Sequence, residues 1–381
     1  MLIREFHKVL QKRLSERYPL IQILLGPRQV GKTMAARAIY DAWQGPKIMA
    51  SADSPAPPQA QWIEHHWQQA RLKGPGTLLI LDEVQKVTGW SEQVKILFDV
   101  DRGQKDLRIL LLGSSSLYMQ KGLKESLAGR FELIRAPHWS FSEFQEAFGW
   151  DFNTYLRFGA YPGTVLFFQD ETRWRSYILD SIIEPVLGKD ILGQHPVYNP
   201  ALFRQTFELV VQYPAQMISL QKLLGQLQDR GNATTIKHYL QLMEQSFLLL
   251  MLQKYSGSTL QSRISSPKIL ILNQALTHAY HSQSRLDQEP EWYGRVFESI
   301  VGSHLHRLPN TELFYWKKGK AEVDYVIRTP METVALEIKS GKRKQSHKGL
   351  QQFARHYPKV RCETWDFARC LHFLSTGKLS T

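Results

Sequence analysis

The chain has 381 residues, of which 43% are hydrophobic, and 48 Lys and Arg against 35 Asp and Glu give a formal net charge of +13. This length predicts two or three domains, and the hydrophobic content fits a globular protein with a substantial core. Apolar runs such as residues 247–252 are too short to span a bilayer, and residues 1–7 lack the pattern of a signal peptide, so we expect no membrane segment. The presence of only two cysteines argues against a disulfide framework and for a reducing cytoplasmic location.

The basic composition, with a pI of about 9.6, favours polyanionic partners. We therefore expect DNA as a partner. On charge alone, a solvated basic surface without such a partner is the alternative. Phosphoryl transfer to a small metabolite is disfavoured, because a large positive charge gives a metabolite kinase no advantage.

The first predicted elements are an amphipathic helix over residues 4–17 and a buried strand over residues 20–25. The sequence GPRQVGKT follows, which fits the phosphate-loop pattern G-x-x-x-x-G-K-[S/T] between a strand and a helix. Glycines let backbone N–H groups approach phosphate oxygens at the N-terminus of the helix. We predict that this loop binds nucleotide through Gly26, Pro27, Arg28, Gln29, Val30, Gly31, Lys32 and Thr33. In this loop Lys32 contacts the β and γ phosphates, and the Thr33 hydroxyl ligates Mg²⁺.

After a short strand over residues 47–50, the next strand covers residues 77–83, an apolar run that ends in two carboxylates. A continuous apolar run indicates a parallel strand covered on both faces. We assign Asp82 to Mg²⁺ through its water shell and Glu83 to general-base activation of the attacking water. An ordinary acidic strand end is the alternative, and the phosphate loop makes it less favourable.

A fourth predicted strand, an apolar run over residues 108–116, ends in a serine cluster. Because ligands lie outside the carboxyl ends of such strands, Ser114 is predicted to sense the γ phosphate, with a plain turn as the alternative. Further along, Arg130 precedes a strand over residues 131–134. Arg130 is either a surface charge or an arginine finger that contacts the nucleotide of a neighbouring subunit. The arginine-finger hypothesis implies a homo-oligomer.

Together, residues 26–33, 81–87, 113–115 and 127–130 resemble the AAA+-type ATPases of bacteria and archaea that bear a C-terminal domain of long-unassigned function. The resemblance extends to HWSFSEF at residues 138–144 and FGAYPG at residues 158–163. It implies ATP and Mg²⁺ as cofactors, a P-loop parallel sheet over residues 1–150 and a helical lid over residues 151–197. Ala160 stands where the family more often has glycine, and Asn273 where many members have an acidic residue, so no family role is transferred to Asn273.

Residues 198–275 are predicted to form a winged helix-turn-helix. The pattern gives helices over residues 203–213, after Ser219 and over residues 233–245, then strands over residues 247–252 and 269–272. If the third helix packs through Ile236, Leu240 and Met243, the residues left for DNA contact are Thr235, Lys237 and His238. A packing or oligomerisation module without DNA contact is the alternative.

Residues 276–381 carry a second chemical pattern, in which a helix over residues 293–305 holds Glu298 and two later strands hold Asp324, Glu337 and Lys339. Glu337 and Lys339 are two residues apart, so they face the same side of a strand. Asp324 and Glu337 can then converge on one divalent metal while Lys339 activates the hydrolytic water.

This pattern resembles the D…E-x-K arrangement of restriction-endonuclease-like, PD-(D/E)xK, nucleases, in which Glu298 matches the acid of the first helix. The ATPase family carries such a domain at the same place. The resemblance implies metal ligation by Asp324, Glu337 and Glu298, and just beyond them Lys342 and Lys344 are predicted to hold a DNA backbone. Such domains can also bind without cutting.

The predicted fold class is α/β multidomain: a P-loop AAA+-type parallel sheet with a helical lid, a winged helix-turn-helix and a restriction-endonuclease-like α/β domain. The first functional hypothesis is Mg²⁺-dependent ATP hydrolysis coupled to DNA binding and to DNA cleavage by the C-terminal domain. The second is a nucleotide-controlled switch whose C-terminal domain holds DNA or a protein and never cuts.

Overall fold

The structure, a computed structural model, describes residues 2–16, 20–56, 58–103, 106–113, 126–193, 195–227, 232–256, 265–341 and 348–379. The chain divides into two compact units, Met1–Pro137 and His138–Thr381. The finer division into four domains stays a prediction. Within the described ranges, no helix combines the length and apolar character needed to cross a membrane.

The N-terminal unit is built on a five-stranded sheet in the order β2-β3-β4-β1-β5, with every neighbouring pair parallel. Its strands are β1 Ile21–Leu25, β2 Lys47–Ser51, β3 Thr77–Asp82, β4 Leu107–Gly113 and β5 Phe131–Arg135. β1 and β3 are buried along their whole length, because helices cover both faces of a parallel sheet. The predicted parallel α/β sheet is therefore confirmed.

The described residues of this unit form four α-helices: α1 Glu5–Leu14, α2 Lys32–Ala42, α3 Ala60–Lys73 and α4 Trp90–Asp101. Their apolar faces contribute Trp67, Trp90 and Val94 to a core shared with the strands. Because β1, β3 and β4 run in the same direction, their carboxyl ends meet at one edge of the sheet. This edge carries the phosphate loop after β1 and the carboxylates at the end of β3.

The C-terminal unit contains a mixed seven-stranded sheet in the order β12-β11-β10-β9-β7-β8-β6. Its strands are β6 Gln216–Met217, β7 Leu249–Lys254, β8 Lys268–Ile271, β9 Glu312–Lys318, β10 Ala321–Arg328, β11 Thr333–Ile338 and β12 Arg361–Trp365. β7 and β9 pair in parallel, at Gln253 with Phe314 and at Lys254 with Tyr315. The β7–β8 hairpin and the C-terminal strands therefore form one continuous sheet.

Where the structure describes the C-terminal unit, its α-helices are α5 Phe141–Phe148, α6 Phe152–Phe158, α7 Glu171–Ser176, α8 Pro200–Val210, α9 Leu220–Leu224, α10 Ala233–Gln245, α11 Ala275–His278, α12 Arg285–Gln288, α13 Pro290–Leu305, α14 Lys348–His356 and α15 Phe367–Thr376. A 3₁₀ turn covers Pro162–Leu166, and π-helical turns cover Tyr177–Ile183 and Pro185–Leu192. Several helices begin at a side chain that accepts a backbone N–H, as Ser140, Asn199, Ser219 and Asn232 do.

The main core of this unit is rich in aromatic side chains. Phe141 and Tyr155 from the segment after β5 pack in the same cluster as Phe297 of α13 and Phe373 of α15. Trp316, on β9, is 3% exposed and packs against Phe353. It is a core residue.

Candidate functional site

The loop after β1 depends on two glycines for different reasons. Gly31 has a φ of 93° at the N-cap of α2, a conformation that favours glycine. Gly26 lies so close to the residue that follows β5, the neighbour of β1 in the sheet, that a Cβ there would come within 2.1 Å of the carbonyl oxygen of Ala136. One glycine therefore provides the turn, and the other provides the close packing.

Lys32 lies at the first turn of α2 with its ammonium inside the loop. Its Nζ donates to the carbonyl oxygens of Gly26 at 2.8 Å and Pro27 at 2.7 Å. A further residue, which the sequence patterns missed, holds the loop at Val30. Buried Arg4 donates hydrogen bonds to Val30 O and to Pro137 O, each at 3.0 Å. No sequence signal could have found Arg4, because it precedes an ordinary amphipathic helix.

The structure brings the phosphate loop and the β3 carboxylates together. The Thr33 hydroxyl Oγ1 donates to Asp82 Oδ2 at 2.9 Å. Asp82 is 6% exposed, and its Oδ1 accepts the backbone N–H of Glu83 at 2.9 Å. The arrangement places a hydroxyl and a fixed carboxylate next to the loop, and their Mg²⁺ roles stay predictions.

Glu83 follows Asp82 in a left-handed conformation, with a φ of 54°. Its carboxylate accepts a short hydrogen bond from the Gln85 side chain. Burial, and then the negative charge of Asp82, raise the pKa of Glu83 above its ordinary value, although Lys32 and Lys86 oppose the shift. Gln85 is a second residue that the sequence patterns missed.

Arg130 is paired within its own unit. Its Nε and Nη2 atoms donate to the two carboxylate oxygens of Asp99 at 2.6 Å and 2.8 Å, and Nη1 donates to Ala128 O at 2.9 Å. The hydrogen bond from Arg130 lowers the pKa of Asp99. The role of Arg130 as an arginine finger stays a prediction. Ser114, the predicted γ-phosphate sensor, lies outside the described residues.

In the C-terminal unit, the predicted acidic residues lie close together. Tyr325 pairs with Leu336 across the antiparallel β10–β11 ladder, which puts Asp324 beside Glu337. Asp324 Oδ2 accepts the N–H of Ile338 at 2.8 Å. Lys339 forms a short ion pair with Glu337, as expected for residues that face the same side of a strand.

The sequence patterns missed a lysine among these acids, Lys268 of β8. Its side chain is fully buried, and its Nζ lies 2.5 Å from Glu298 Oε1 and 3.9 Å from Asp324 Oδ1. Burial, followed by the charge of Asp324, raises the pKa of Glu298 to about 8. Burial alone would lower the pKa of Lys268, but the surrounding carboxylates, led by Glu298, outweigh it and raise that pKa.

This arrangement does not fit a divalent metal. Over the ranges that the structure describes, no three Asp, Glu, His or Cys side chains are grouped so that they could hold a metal ion. Instead an ammonium lies among the acids. The metal role of Asp324, Glu337 and Glu298 therefore stays a prediction, without support from the geometry.

The predicted DNA-contact residues lie on α10 and after β11. On α10, Ile236, Leu240 and Met243 are buried, which leaves Lys237 and His238 exposed. Thr235 is half-buried, and both its N–H and its hydroxyl bond to Asn232 Oδ1 at the helix N-cap. Lys342 and Lys344 lie outside the described residues.

Comparison with protein families divides the chain into three matched segments. Residues 19–145 match an AAA domain, residues 149–288 match the domain of unknown function DUF8612, and residues 293–369 match the domain of unknown function DUF4143. The uncharacterized proteins Rv2008c of Mycobacterium tuberculosis and Mb2031c of Mycobacterium bovis are each 27% identical over 338 residues, or 86% of this chain and 72% of theirs.

Two solved structures are also similar. The Walker-type ATPase PABY2304 of Pyrococcus abyssi is 14% identical, with a TM-score of 0.48 over 74% of this chain and 96% of that one. The Holliday junction branch migration motor RuvB of Thermotoga maritima is 13% identical, with a TM-score of 0.35 over 65% of this chain and 88% of that one. Residues 19–145 are therefore similar to an AAA domain, and they contain both the loop after β1 and the carboxylate that accepts the Thr33 hydroxyl.

Proposed function

We propose that the N-terminal unit hydrolyses Mg²⁺-ATP. The observation that carries the proposal is the 2.9 Å hydrogen bond between Thr33 Oγ1 and Asp82 Oδ2, which joins the phosphate loop to the end of β3. Mg²⁺ prefers oxygen ligands, so this hydroxyl and carboxylate fit the ion. When bound, Mg²⁺ would neutralise negative charge on the phosphates of ATP.

The other residues of the site have distinct tasks. The N-terminus of α2, which follows the N-cap Gly31, attracts the phosphates through its backbone N–H groups and the positive end of the helix dipole. Lys32 exchanges its contacts with the loop carbonyls of Gly26 and Pro27 for the β and γ phosphates. Glu83 takes the proton of the attacking water, and burial raises the pKa of its carboxyl group, which makes the carboxylate a stronger base.

Replacement of the loop lysine tests this proposal. We expect Lys32→Ala to abolish ATP turnover, because the mobile charge for the phosphates is lost. Arg37→Ala is the matched control, since Arg37 is an exposed basic residue of the same helix, α2. Phosphate release at a wild-type rate by Lys32→Ala would refute the assignment.

We further propose that ATP hydrolysis is coupled to DNA binding through the segment from α8 to β8. Its order of helix, short strand, two helices and a hairpin is the order of a winged helix-turn-helix. Burial of one face of α10 leaves Lys237 and His238 exposed for phosphate or base contact. The formal charge of +13 favours the same partner.

For residues after α12, we propose a restriction-endonuclease-like module. The order α13, β9, β10, β11, α14 and β12, with Glu298 on α13, Asp324 on β10 and Glu337 on β11, supports this proposal. Two functions are open to this module: metal-dependent cleavage of DNA, and DNA or protein binding without cleavage. The buried Lys268 among the acids favours the second.

Digestion of linear and circular DNA with Mg²⁺ or Mn²⁺ separates these two functions. Wild type is compared with Asp324→Ala and Lys339→Ala. Absence of any cleavage that depends on these residues supports the binding module. Cleavage that both substitutions remove supports the nuclease.

A further inference from the structure

The acid cluster of the C-terminal sheet consists of Glu298 on α13, Glu322 and Asp324 on β10, and Glu337 on β11. Their side chains are 16%, 32%, 18% and 11% exposed. The negative charges of neighbouring carboxylates repel one another, and partial burial weakens the screening of this repulsion by water. A cluster of this kind requires a positive counter-charge.

Lys268 supplies that charge from a distant part of the chain. Its side chain has no exposed surface, and its Nζ lies 2.5 Å from Glu298 Oε1, 3.5 Å from Glu322 Oε1 and 3.9 Å from Asp324 Oδ1. The same ammonium donates to the backbone carbonyl of Asp324 at 3.2 Å. Three of the four acids therefore face one ammonium.

The position of Lys268 is fixed by the sheet. Its backbone lies in β8 between two strands, opposite Met217 of β6 and Leu252 of β7. Strands on both sides hold the backbone of β8, and from there the lysine side chain contacts Glu298 of α13 and Glu322 and Asp324 of β10. It is a permanent part of the cluster and not a mobile surface charge.

Two more ammoniums lie next to the acids. Lys317 lies 3.6 Å from Glu322, and Lys339 pairs with Glu337. Over the part of the chain that the structure describes, three ammoniums thus face four carboxylates, which brings the cluster close to neutrality. A divalent cation, which requires oxygens at about 2.0–2.6 Å, would have to displace an ammonium that is already buried and paired.

We infer that Lys268 is a built-in counter-ion that takes the place of a divalent metal in the acid cluster, so that the cluster in the wild-type chain is structural and binds no Mg²⁺ or Mn²⁺. The inference concerns a site separate from the phosphate loop. It does not depend on ATP hydrolysis or on DNA binding.

The first test counts Mn²⁺ ions bound to the full chain without nucleotide, by electron paramagnetic resonance of free Mn²⁺. Wild type is compared with Asp324→Asn and with Glu337→Gln, which remove charge with little change of shape. We expect all three proteins to bind the same number of ions. One additional Mn²⁺ in wild type, lost in both variants, would overturn the inference.

The second test removes the counter-ion. Lys268→Met leaves the carboxylates without their buried partner, so we expect the Tm to fall by about 10 °C. Millimolar Mn²⁺ should raise the Tm of this variant more than that of wild type, and Lys268→Met combined with Asp324→Asn should lose the response. A Lys268→Met protein with wild-type Tm and no response to Mn²⁺ would overturn the inference. The Mn²⁺ count decides the matter even if Lys268→Met does not fold.

Discussion

His304 of α13 uses both ring nitrogens inside the C-terminal core. Its Nδ1 lies 2.8 Å from the carbonyl oxygen of Ile300, and its Nε2 accepts the N–H of Phe141 at 3.2 Å. These partners require a neutral ring with its proton on Nδ1. Burial, with a contribution from the charge of Arg307, lowers the pKa of His304 to about 3.

This histidine makes stability depend on pH. Unfolded histidine titrates near 6.5, so the stabilising contribution is complete above pH 6.5 and is lost as the pH falls toward 3. At pH 5 we expect a loss of about 2 kcal/mol from His304 alone. Urea unfolding between pH 7 and 4.5 measures it.

The matched variants are His304→Gln, whose amide can keep both hydrogen bonds and has no proton to gain, and His372→Gln at an exposed position. We expect only His304→Gln to flatten the dependence of the unfolding free energy on pH. An equal slope in wild type and His304→Gln would contradict the account.

The sequence was most informative for functional residues that lie next to one another in the chain. The phosphate-loop residues and the Asp82-Glu83 pair follow contiguous patterns, which physical chemistry constrains residue by residue. Arg4 and Lys268 act on residues far away in the chain: Arg4 on Val30, and Lys268 on Glu298. Neither belongs to a local motif, so only the fold could reveal its role.

At the element scale, the FGAYPG segment after α6 is held by a buried amide. Asn273 Oδ1 accepts the N–H groups of Ala160 at 2.9 Å and Ala275 at 3.1 Å. Gly159 has a φ of 82°, and a Cβ there would lie 2.4 Å from Ala275 Cβ and 2.7 Å from Asn273 Oδ1. The segment therefore requires glycine both for conformation and for space.

Gly159→Ala should destabilise the C-terminal unit by about 2–4 kcal/mol, because left-handed strain and overpacking add. Gly149→Ala is the control: Gly149 has a φ of 68° but open space around the Cβ position, so we expect a loss of about 1 kcal/mol. Urea unfolding compares the two variants. Equal losses would show that crowding at Gly159 does not matter.

Periodicity and capping residues were sufficient to predict helices in the segment after residue 218. The predicted helix over residues 233–245 has those same bounds, and Ser219 caps the helix before it. The parallel pairing of β7 with β9 was not predictable, because it joins strands separated by a long stretch of chain and rests on only two residue pairs. No local pattern specifies which strand becomes a neighbour in a sheet.

At the scale of the whole molecule, the proposed DNA binding should be strongly salt-dependent, because each neutralised phosphate releases counter-ions. Removal of one phosphate contact by Lys237→Ala should reduce the slope of log K against log salt by about 1. Lys359→Ala removes the same charge from another exposed position and should leave the slope unchanged. Fluorescence anisotropy with duplex DNA measures both, and equal slopes for wild type and Lys237→Ala would contradict contact through α10.

The proposed use of Arg130 on the nucleotide of a neighbouring chain predicts self-association. To act there, Arg130 must leave its paired hydrogen bonds with Asp99. We expect a dimer or ring in size-exclusion chromatography with a non-hydrolysable ATP analogue, and reduced turnover by Arg130→Ala. A strict monomer with full activity would show that Arg130 serves only as a surface charge.

The loop after β1 and the carboxyl end of β3 are proposed to form a site that hydrolyses ATP with Glu83 as the base. The most direct measurement is single-turnover ATP hydrolysis by Glu83→Gln, with nucleotide binding measured in parallel. We predict ATP binding close to that of wild type and a hydrolysis rate lower by about 10²–10⁴-fold, because the proton acceptor is lost and the phosphate loop is intact. Hydrolysis at the wild-type rate by Glu83→Gln would contradict the claim.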